Sequence, residues 1–491
     1  MTQTSFKSTF FSSILHRARC APHAIAVSVG TQDVGYGQFA RDIERVTRQL
    51  AARVQHRSGL AMVHICHPYL HWVTTIALGR LGMSTASAIN AAHTPALIGP
   101  DLVVADAPGS VPDPRVIVVS ADWNSAASDA LPPFADIAHA AEAPFRLLLS
   151  SGTTGTPKKI LLSHAQCQAR MESVAAGTGM LGEATSSMTL VGTDTVAGHM
   201  FPQATWFLGG RVVLWGAGED VYQTIVRKRV NYTFMAPVQL EQLVNTMPPA
   251  AWPMPDLTVT VSGSVLPRLL SERARARVTP SLRMLYGSTE AGLVTACHAN
   301  LADVAPGATG FVRPDVDLQV VDQDGRPLPF GQTGEVRCRG LGCVTRYLDA
   351  SGVDGDEIFR DGWFYPGDAA TLSADGLLTI VGRTKELMNF GGVKMLPNEV
   401  EAVLAACPGV QDLAAFALEQ DGTVATPWVA VVRGPDYDQS LLVSAFAKAF
   451  PRLPAVKFVH ADLIPRNAMG KVQRNVIREQ VQRALAGGGA S

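Results

Sequence analysis

Five hydroxyl side chains, two glycines and two lysines crowd the segment Leu149-Ser-Ser-Gly-Thr-Thr-Gly-Thr-Pro-Lys-Lys159. Glycine lets a backbone approach an anion closely, hydroxyl and N–H groups aim at phosphate oxygens, and lysine supplies positive charge. The chemistry this composition suits is capture of a polyphosphate. The spacing G-x-x-x-x-G-K-[ST] is absent, so the loop is not that of the P-loop NTPases. A flexible Ser/Thr/Gly linker is the other reading of such a run.

The elements around the loop decide between the two. An apolar run, Leu147 to Leu149, leads into it, and Ser163-His-Ala-Gln166 after it has the form of a capping box opening a helix that stops near Gly177. A helix N-terminus beside the loop adds a dipole that favours anions. Strand-like and helix-like segments alternate, which predicts an α/β architecture. Ala61 to Ile65, Leu102 to Val104 and Val116 to Val119 read as buried strands, Trp72 to Leu81 as a helix, and Pro68-Tyr-Leu as an element junction. A second α/β unit is expected from Thr189 to about Ala299, with strands at Val212 to Leu214 and Thr258 to Ser262, and with Tyr286 and Glu290 at a strand end. Ligands of open α/β sheets bind beyond the carboxyl ends of strands. From Gly310 to Ile380, short β runs and Gly-rich turns suggest a small barrel or open sheet. Beyond it, Pro397-Asn398 opens a helix with Val400, Val403, Leu404 and Cys407 on one face, and Val472, Val476 and Val481 mark a terminal helix.

Bulk properties exclude several classes. A chain of 491 residues needs more than one core. Its net charge of -1 gives no global case for nucleic acid or an acidic membrane, and no apolar run reaches the roughly 20 residues that span a bilayer. Seven scattered cysteines, with no C-x-x-C pair, point to a reducing cytoplasm and against a zinc site. His64, His67 and His71 are not expected to hold a metal.

The loop resembles the nucleotide-binding loop of the adenylate-forming (ANL) superfamily: acyl- and aryl-CoA synthetases, stand-alone adenylation domains and luciferases. Four further segments resemble that family's motifs in order: Tyr286-Gly-Ser-Thr-Glu-Ala-Gly292, Gly362-Trp-Phe-Tyr-Pro-Gly-Asp368, Gly382-Arg-Thr-Lys-Glu386 and Pro465-Arg-Asn-Ala-Met-Gly-Lys471. The resemblance implies a large N-terminal adenylation domain over residues 1–384, made of two α/β subdomains and a small β-barrel. A smaller mobile α+β domain over 385–491 follows. It also implies ATP and Mg²⁺ as cofactors, a small carboxylic acid as substrate, and coenzyme A or a phosphopantetheinyl carrier protein, met in trans, as thiol acceptor.

Roles follow from the same resemblance. Ser151, Gly152, Thr153, Thr154, Gly155 and Lys158 would hold the phosphates, Thr289 the α-phosphate and Glu290 the Mg²⁺. Tyr286, with Gly287 and Ser288, would stack on adenine beside Gly263 and Ser264. Asp368 would accept the ribose hydroxyls, assisted by Arg383. Lys471 would bridge carboxylate and phosphate during adenylation, Lys385 would be the hinge, and Gly392 would leave room for the thiol arm. Asp194 and His199 fall where the family lines its acid pocket. Asp194 is expected to cap a helix, and otherwise to meet an amino or hydroxyl group of the substrate. The glycine usual at the end of the phosphate loop is Lys159 here. The reaction implied is formation of an acyl-adenylate from a small aryl or short acyl acid, then transfer to the thiol. Alternatives are an acyl-AMP ligase, a stand-alone amino- or aryl-acid adenylation enzyme, and a non-catalytic binding protein.

Overall fold

The computed structural model describes residues 9–54, 57–89, 93–135, 139–150, 157–216, 218–305, 307–349, 357–386, 388–390, 393–418, 425–466 and 472–486. Two large sheets dominate. The first has six strands in the order Val116–Val118, Leu102–Ala105, Leu60–His64, Ser84–Ser87, Pro144–Ser150 and Lys158–Ser163. All pairings are parallel except the last, an antiparallel pair formed by the strands that precede and follow the phosphate loop in sequence. Strands covered on both faces need near-continuous apolar sequence, and Ala61, Met62 and Val63 are at most 1% exposed.

The helix after Leu60–His64 runs over Pro68–Arg80 and starts earlier than the sequence reading placed it. Pro68 is not a junction residue but the first helical position, where its missing N–H is no loss. His67 is the cap, accepting from the Leu70 amide. The capping box at Ser163 and Gln166 forms as expected, with bonds of 2.9 and 3.2 Å opening the helix His164–Gly177.

The second sheet carries a parallel core in the order Ile25–Val29, Arg211–Leu214, Ser186–Thr189, Tyr232–Met235, Thr258–Val261 and Leu282–Ser288. Its first strand comes from the start of the chain, far from the unit that sequence reading bounded at Thr189. Buried polar groups fix that long-range pairing: Tyr36 donates to the Gly210 carbonyl at 2.6 Å and Trp206 Nε1 to that of Ala26 at 2.9 Å. Beyond Leu282–Ser288 the sheet continues antiparallel through Gly292–His298, Ala308–Val312, Leu377–Arg383, Asp368–Leu372 and Thr333–Gly340. The β-rich region is therefore an extension of the second sheet, and among the described residues its pairings close no barrel.

The C-terminal region has its own sheet, Val410–Leu418, Thr426–Arg433 and Lys457–His460, with the helices Pro397–Leu404, Gln439–Ala449 and Arg474–Ala486. Cys407 lies past the end of the first helix, and Val472 bridges to Arg466 ahead of the last. Two apolar clusters form on the sheet, one with Val400, Leu404 and Phe446, the other with Ile477 and Val481. No helix among the described residues is long and apolar enough to cross a membrane.

Candidate active site

Thr289 and Glu290 sit in the turn between Leu282–Ser288 and Gly292–His298. The hairpin is so tight that a Cβ on Gly287 would lie 2.0 Å from the Gly292 carbonyl oxygen, which only glycine avoids. Gly292 adopts φ 75°, a left-handed conformation that again favours glycine. The turn is held from below by Arg170, 3% exposed, on the helix His164–Gly177. Its guanidinium donates to the carbonyls of Thr289 at 2.9 Å, Glu290 at 2.8 Å and Gly342 at 2.7 Å. A fixed planar fork suits three carbonyls at once. Burial is the main cause that lowers this arginine's pKa.

Glu290 is 9% exposed, and its Oε1 accepts from the Tyr347 hydroxyl at 2.9 Å. Lys158 places its ammonium 4.8 Å from the centre of the same Tyr347 ring. One tyrosine thus links the lysine after the phosphate loop to the carboxylate of the turn. Burial, then the neighbouring Glu290 charge, pushes the Tyr347 phenol far above its ordinary range, so it stays a donor. Lys159 turns aside and pairs with Asp349 at 2.7 Å, and the Leu348 amide donates to the Lys159 carbonyl. The residue that departs from the family pattern thereby anchors the segment carrying Tyr347.

Asp368 stands opposite Arg383 across an antiparallel pair. Its Oδ1 accepts from Arg383 at 2.9 Å and its Oδ2 from the Tyr286 hydroxyl at 2.6 Å. Arg383 also reaches the Pro366 carbonyl. A carboxylate offers about four acceptor sites, so two remain for a ligand. Burial, then Asp368, raises the Tyr286 phenol well above its ordinary range. Gly263 and Ser264 follow the strand Thr258–Val261, with Gly263 at φ 99°.

On the other side, Thr195 and not Asp194 caps the helix Val196–Phe207, accepting from the Gly198 amide at 3.0 Å. Asp194 instead faces His93, Oδ2 to Nδ1 at 3.5 Å. Threonine is also a preferred cap, though ranked below aspartate, and which of two adjacent residues takes the extended capping conformation is not decided by sequence alone. His199 is 1% exposed, stacked on Trp72 with centroids 5.2 Å apart, and its Nε2 meets Gln203 at 3.0 Å. Burial, aided by the Arg146 charge, lowers its pKa far below the histidine range, so it is neutral.

Ser151 to Gly155, Gly392 and Lys471 lie outside the described residues. Lys385 falls in the short turn of helix Thr384–Glu386. Next to it, Glu386 pairs with Arg474 at 2.9 Å, and Arg474 also pairs with Glu401 at 2.6 Å. Among the described residues no group of three or more His, Cys, Asp or Glu side chains is poised for a metal. Glu290 nonetheless fits Mg²⁺, which takes one or two carboxylates and completes its shell with water and substrate phosphates. Its carboxylate is buried and has no cationic partner within ion-pair distance among the described residues.

Sequence reasoning missed Tyr347, Arg170 and Arg146. Each acts across more than 45 residues of chain, Tyr347 on a carboxylate and the two arginines on backbone carbonyls or hydroxyls, and such distant partners leave no local pattern.

An acidic turn fixed by Tyr347 beside Lys158, and an aspartate held by Tyr286 and Arg383, suit the class of enzymes that activate carboxylic acids with ATP. The model of the AMP-binding enzyme family matches residues 14–348, and the chain belongs to that family. It is an AMP-forming acid–thiol ligase of the acyl-CoA synthetase kind. It is 28% identical to indoleacetate–CoA ligase of Aromatoleum aromaticum, over 94% of this chain and 96% of the relative. It is 27% identical to feruloyl-CoA synthase of Amycolatopsis, over 95% and 98%. The fold matches ATP-bound MatB from Rhodopseudomonas palustris with a TM-score of 0.82, at 23% identity, over 97% and 99% of the two chains. It matches O-succinylbenzoate coenzyme A synthetase from Bacillus subtilis, in complex with AMP, with a TM-score of 0.78, at 22% identity, over 94% and 97%.

Proposed function

We propose that this chain joins a small aryl acid to coenzyme A through an acyl-adenylate. The link Lys158–Tyr347–Glu290 carries the reading of the site, because one tyrosine holds the lysine that follows the phosphate loop over its ring and a buried carboxylate at its hydroxyl. The aryl acid is supported by the named substrates of the relatives, indoleacetate and ferulate, each an aromatic carboxylate. A short acyl acid is the second choice. Coenzyme A is favoured over a carrier protein because those relatives are CoA ligases.

The carboxylate attacks the α-phosphorus, and pyrophosphate leaves. Two anions must meet, so preorganised donors matter more than any covalent help from the protein. In this reading Ser151, Thr153, Thr154 and Lys158 hold the departing phosphates, with Gly152 and Gly155 admitting them. Thr289 bonds the α-phosphate, and Glu290 holds Mg²⁺, which neutralises phosphate charge. Tyr286 stacks on adenine between Gly287, Ser288, Gly263 and Ser264, and its hydroxyl keeps the Asp368 carboxylate turned to the ribose. Lys471 steadies the attacking oxygen while charge develops.

For the second step the chain would divide at 384/385. Residues 385–491 would swing about Lys385, removing Lys471 and bringing Gly392 to the thiol path. The pairs of Arg474 with Glu386 and Glu401 support treating the terminal helix and the hinge turn as one moving piece. The thiolate then attacks the acyl carbon and AMP departs. The fold, the absence of a long apolar helix among the described residues and the cysteine pattern suit an enzyme of the cytoplasm.

Pyrophosphate release with ATP and Mg²⁺, across aryl, short acyl and amino acids and with or without coenzyme A, tests this reading. Release confined to aryl acids and accelerated by coenzyme A is expected. Release unaffected by coenzyme A would favour an acyl-AMP ligase or carrier loading.

A further inference from the structure

Arg146 lies on the strand Pro144–Ser150 and is fully buried. Among the described residues no carboxylate lies within ion-pair distance of it. Its guanidinium donates instead to Thr85 Oγ1 at 3.1 Å, Ser87 Oγ at 2.5 Å and the Thr193 carbonyl at 2.8 Å. Thr85 and Ser87 belong to the first sheet, whereas Thr193 follows the strand Ser186–Thr189 of the second. Burying a cation without a counter-charge costs several kcal/mol, and apolar residues would fill that space more cheaply. The arrangement therefore calls for a reason beyond packing.

His71 completes the cluster. Its Nδ1 is 3.3 Å from the Ile65 carbonyl oxygen, and its Nε2 is 2.8 Å from Ser87 Oγ and 3.2 Å from Thr193 Oγ1. A carbonyl only accepts, so Nδ1 carries the proton and Nε2 accepts from both hydroxyls. Ser87 then donates to His71 while accepting from Arg146. Thr193 is gripped twice, at its carbonyl by Arg146 and at its hydroxyl by His71. Its neighbours are Asp194, facing His93, and Thr195, the cap of the helix that bears His199. The far side of the turn is close-packed too, since a Cβ on Gly192 would lie 2.4 Å from Asp194 Oδ1.

We propose that Arg146 is a positioning residue for acid selection. Acting through Thr193, it sets the turn 192–195 and hence Asp194 and His199 as the wall of the acid pocket. It touches neither the acid nor the nucleotide. This inference rests on the reading that residues 194 and 199 face the acid, and it adds the device that fixes them.

The test is binding and kinetics of the full-length Arg146→Met and Arg146→Lys proteins, with aryl-acid affinity followed by intrinsic tryptophan fluorescence and pyrophosphate release measured in parallel. Arg146→Met should raise both the acid Kd and the acid KM by about tenfold or more, the size of one charge-assisted hydrogen bond. The KM for ATP should stay within about twofold, and Arg146→Lys should recover part of the loss. An equal rise in the KM for ATP would overturn the proposal, because Arg146 would then serve the adjoining phosphate loop. Unchanged acid affinity would overturn it as well. Thr193→Val, which removes only the His71 contact, should show a smaller shift of the same sign, and it decides the matter if Arg146→Met does not fold. A failure of the parent reading looks different: the wild-type protein would bind no aryl acid at all.

Discussion

The Tyr347 hydroxyl donates to Glu290 Oε1 at 2.9 Å, while Lys158 places its ammonium 4.8 Å from the centre of the same ring. The loop lysine and the turn carboxylate are thus set by the same side chain. Tyr347→Phe deletes only the hydroxyl and keeps the ring for Lys158. It should lower kcat/KM for pyrophosphate release about tenfold, as loss of a hydrogen bond to a charged group would. The Mg²⁺ concentration for half-maximal rate should rise with it. Steady-state kinetics over a magnesium series checks both.

Asp368 is shared by Tyr286 and Arg383, and its spare acceptor sites are proposed to face the ribose. Asp368→Asn keeps the shape and removes the charge. The KM for ATP should rise by roughly 2 kcal/mol of lost binding, about thirtyfold, with little change in the KM for the acid. Tyr286→Phe should cost less, since it leaves the carboxylate in place.

Burial, reinforced by the Arg146 charge, drives the His71 pKa down to about 3 from 6.5. The unfolded chain therefore binds the proton that the folded chain refuses. Stability is full above about pH 6.5 and falls as pH drops towards 3, with a slope of about 1.4 kcal/mol per pH unit for this group. His199, lowered in the same direction, steepens the loss. Thermal unfolding of wild type and His71→Gln between pH 4 and 7 checks it. The variant should start less stable at pH 7 and lose less on acidification.

Much of the fold was legible because local signals agreed with the global one. Ser163 and Gln166 announce their helix, the apolar run at Leu102 announces a buried strand, and the β-branched run at Thr258 announces a strand of the second unit. The place of the strand Ile25–Val29 is not legible in the sequence, because it lies beside Arg211–Leu214, some 180 residues away. Pro68-Tyr-Leu reads in sequence as an element junction, although the same ring that ends helices also starts them. In the site, Glu290, Asp368 and Arg383 could be picked out because their segments resemble family motifs. Arg146 and Arg170 could not, since Arg170 binds backbone carbonyls that any residue supplies and Arg146 binds one carbonyl and two hydroxyls far away in the chain. Asp194 and Thr195 show the limit at one position: both can cap, and only the path of the chain selects the threonine.

Arg474 pairs with Glu386 beside the proposed hinge and with Glu401 on the first C-terminal helix. If residues 385–491 alternate between two positions, the two half-reactions should separate by mutation. Lys471→Ala should abolish adenylation and leave thiolation of supplied acyl-adenylate largely intact. Equal loss of both half-reactions, measured separately, would remove the lysine from its assigned role.

The central claim is that the substrate carboxylate itself attacks the α-phosphorus of ATP. An aryl acid labelled with ¹⁸O in its carboxylate, turned over with ATP, Mg²⁺ and coenzyme A, tests it by mass spectrometry of the products. The account predicts AMP carrying one ¹⁸O, unlabelled pyrophosphate and an acyl-CoA. Label in inorganic phosphate accompanied by ADP, or AMP without label, would contradict it.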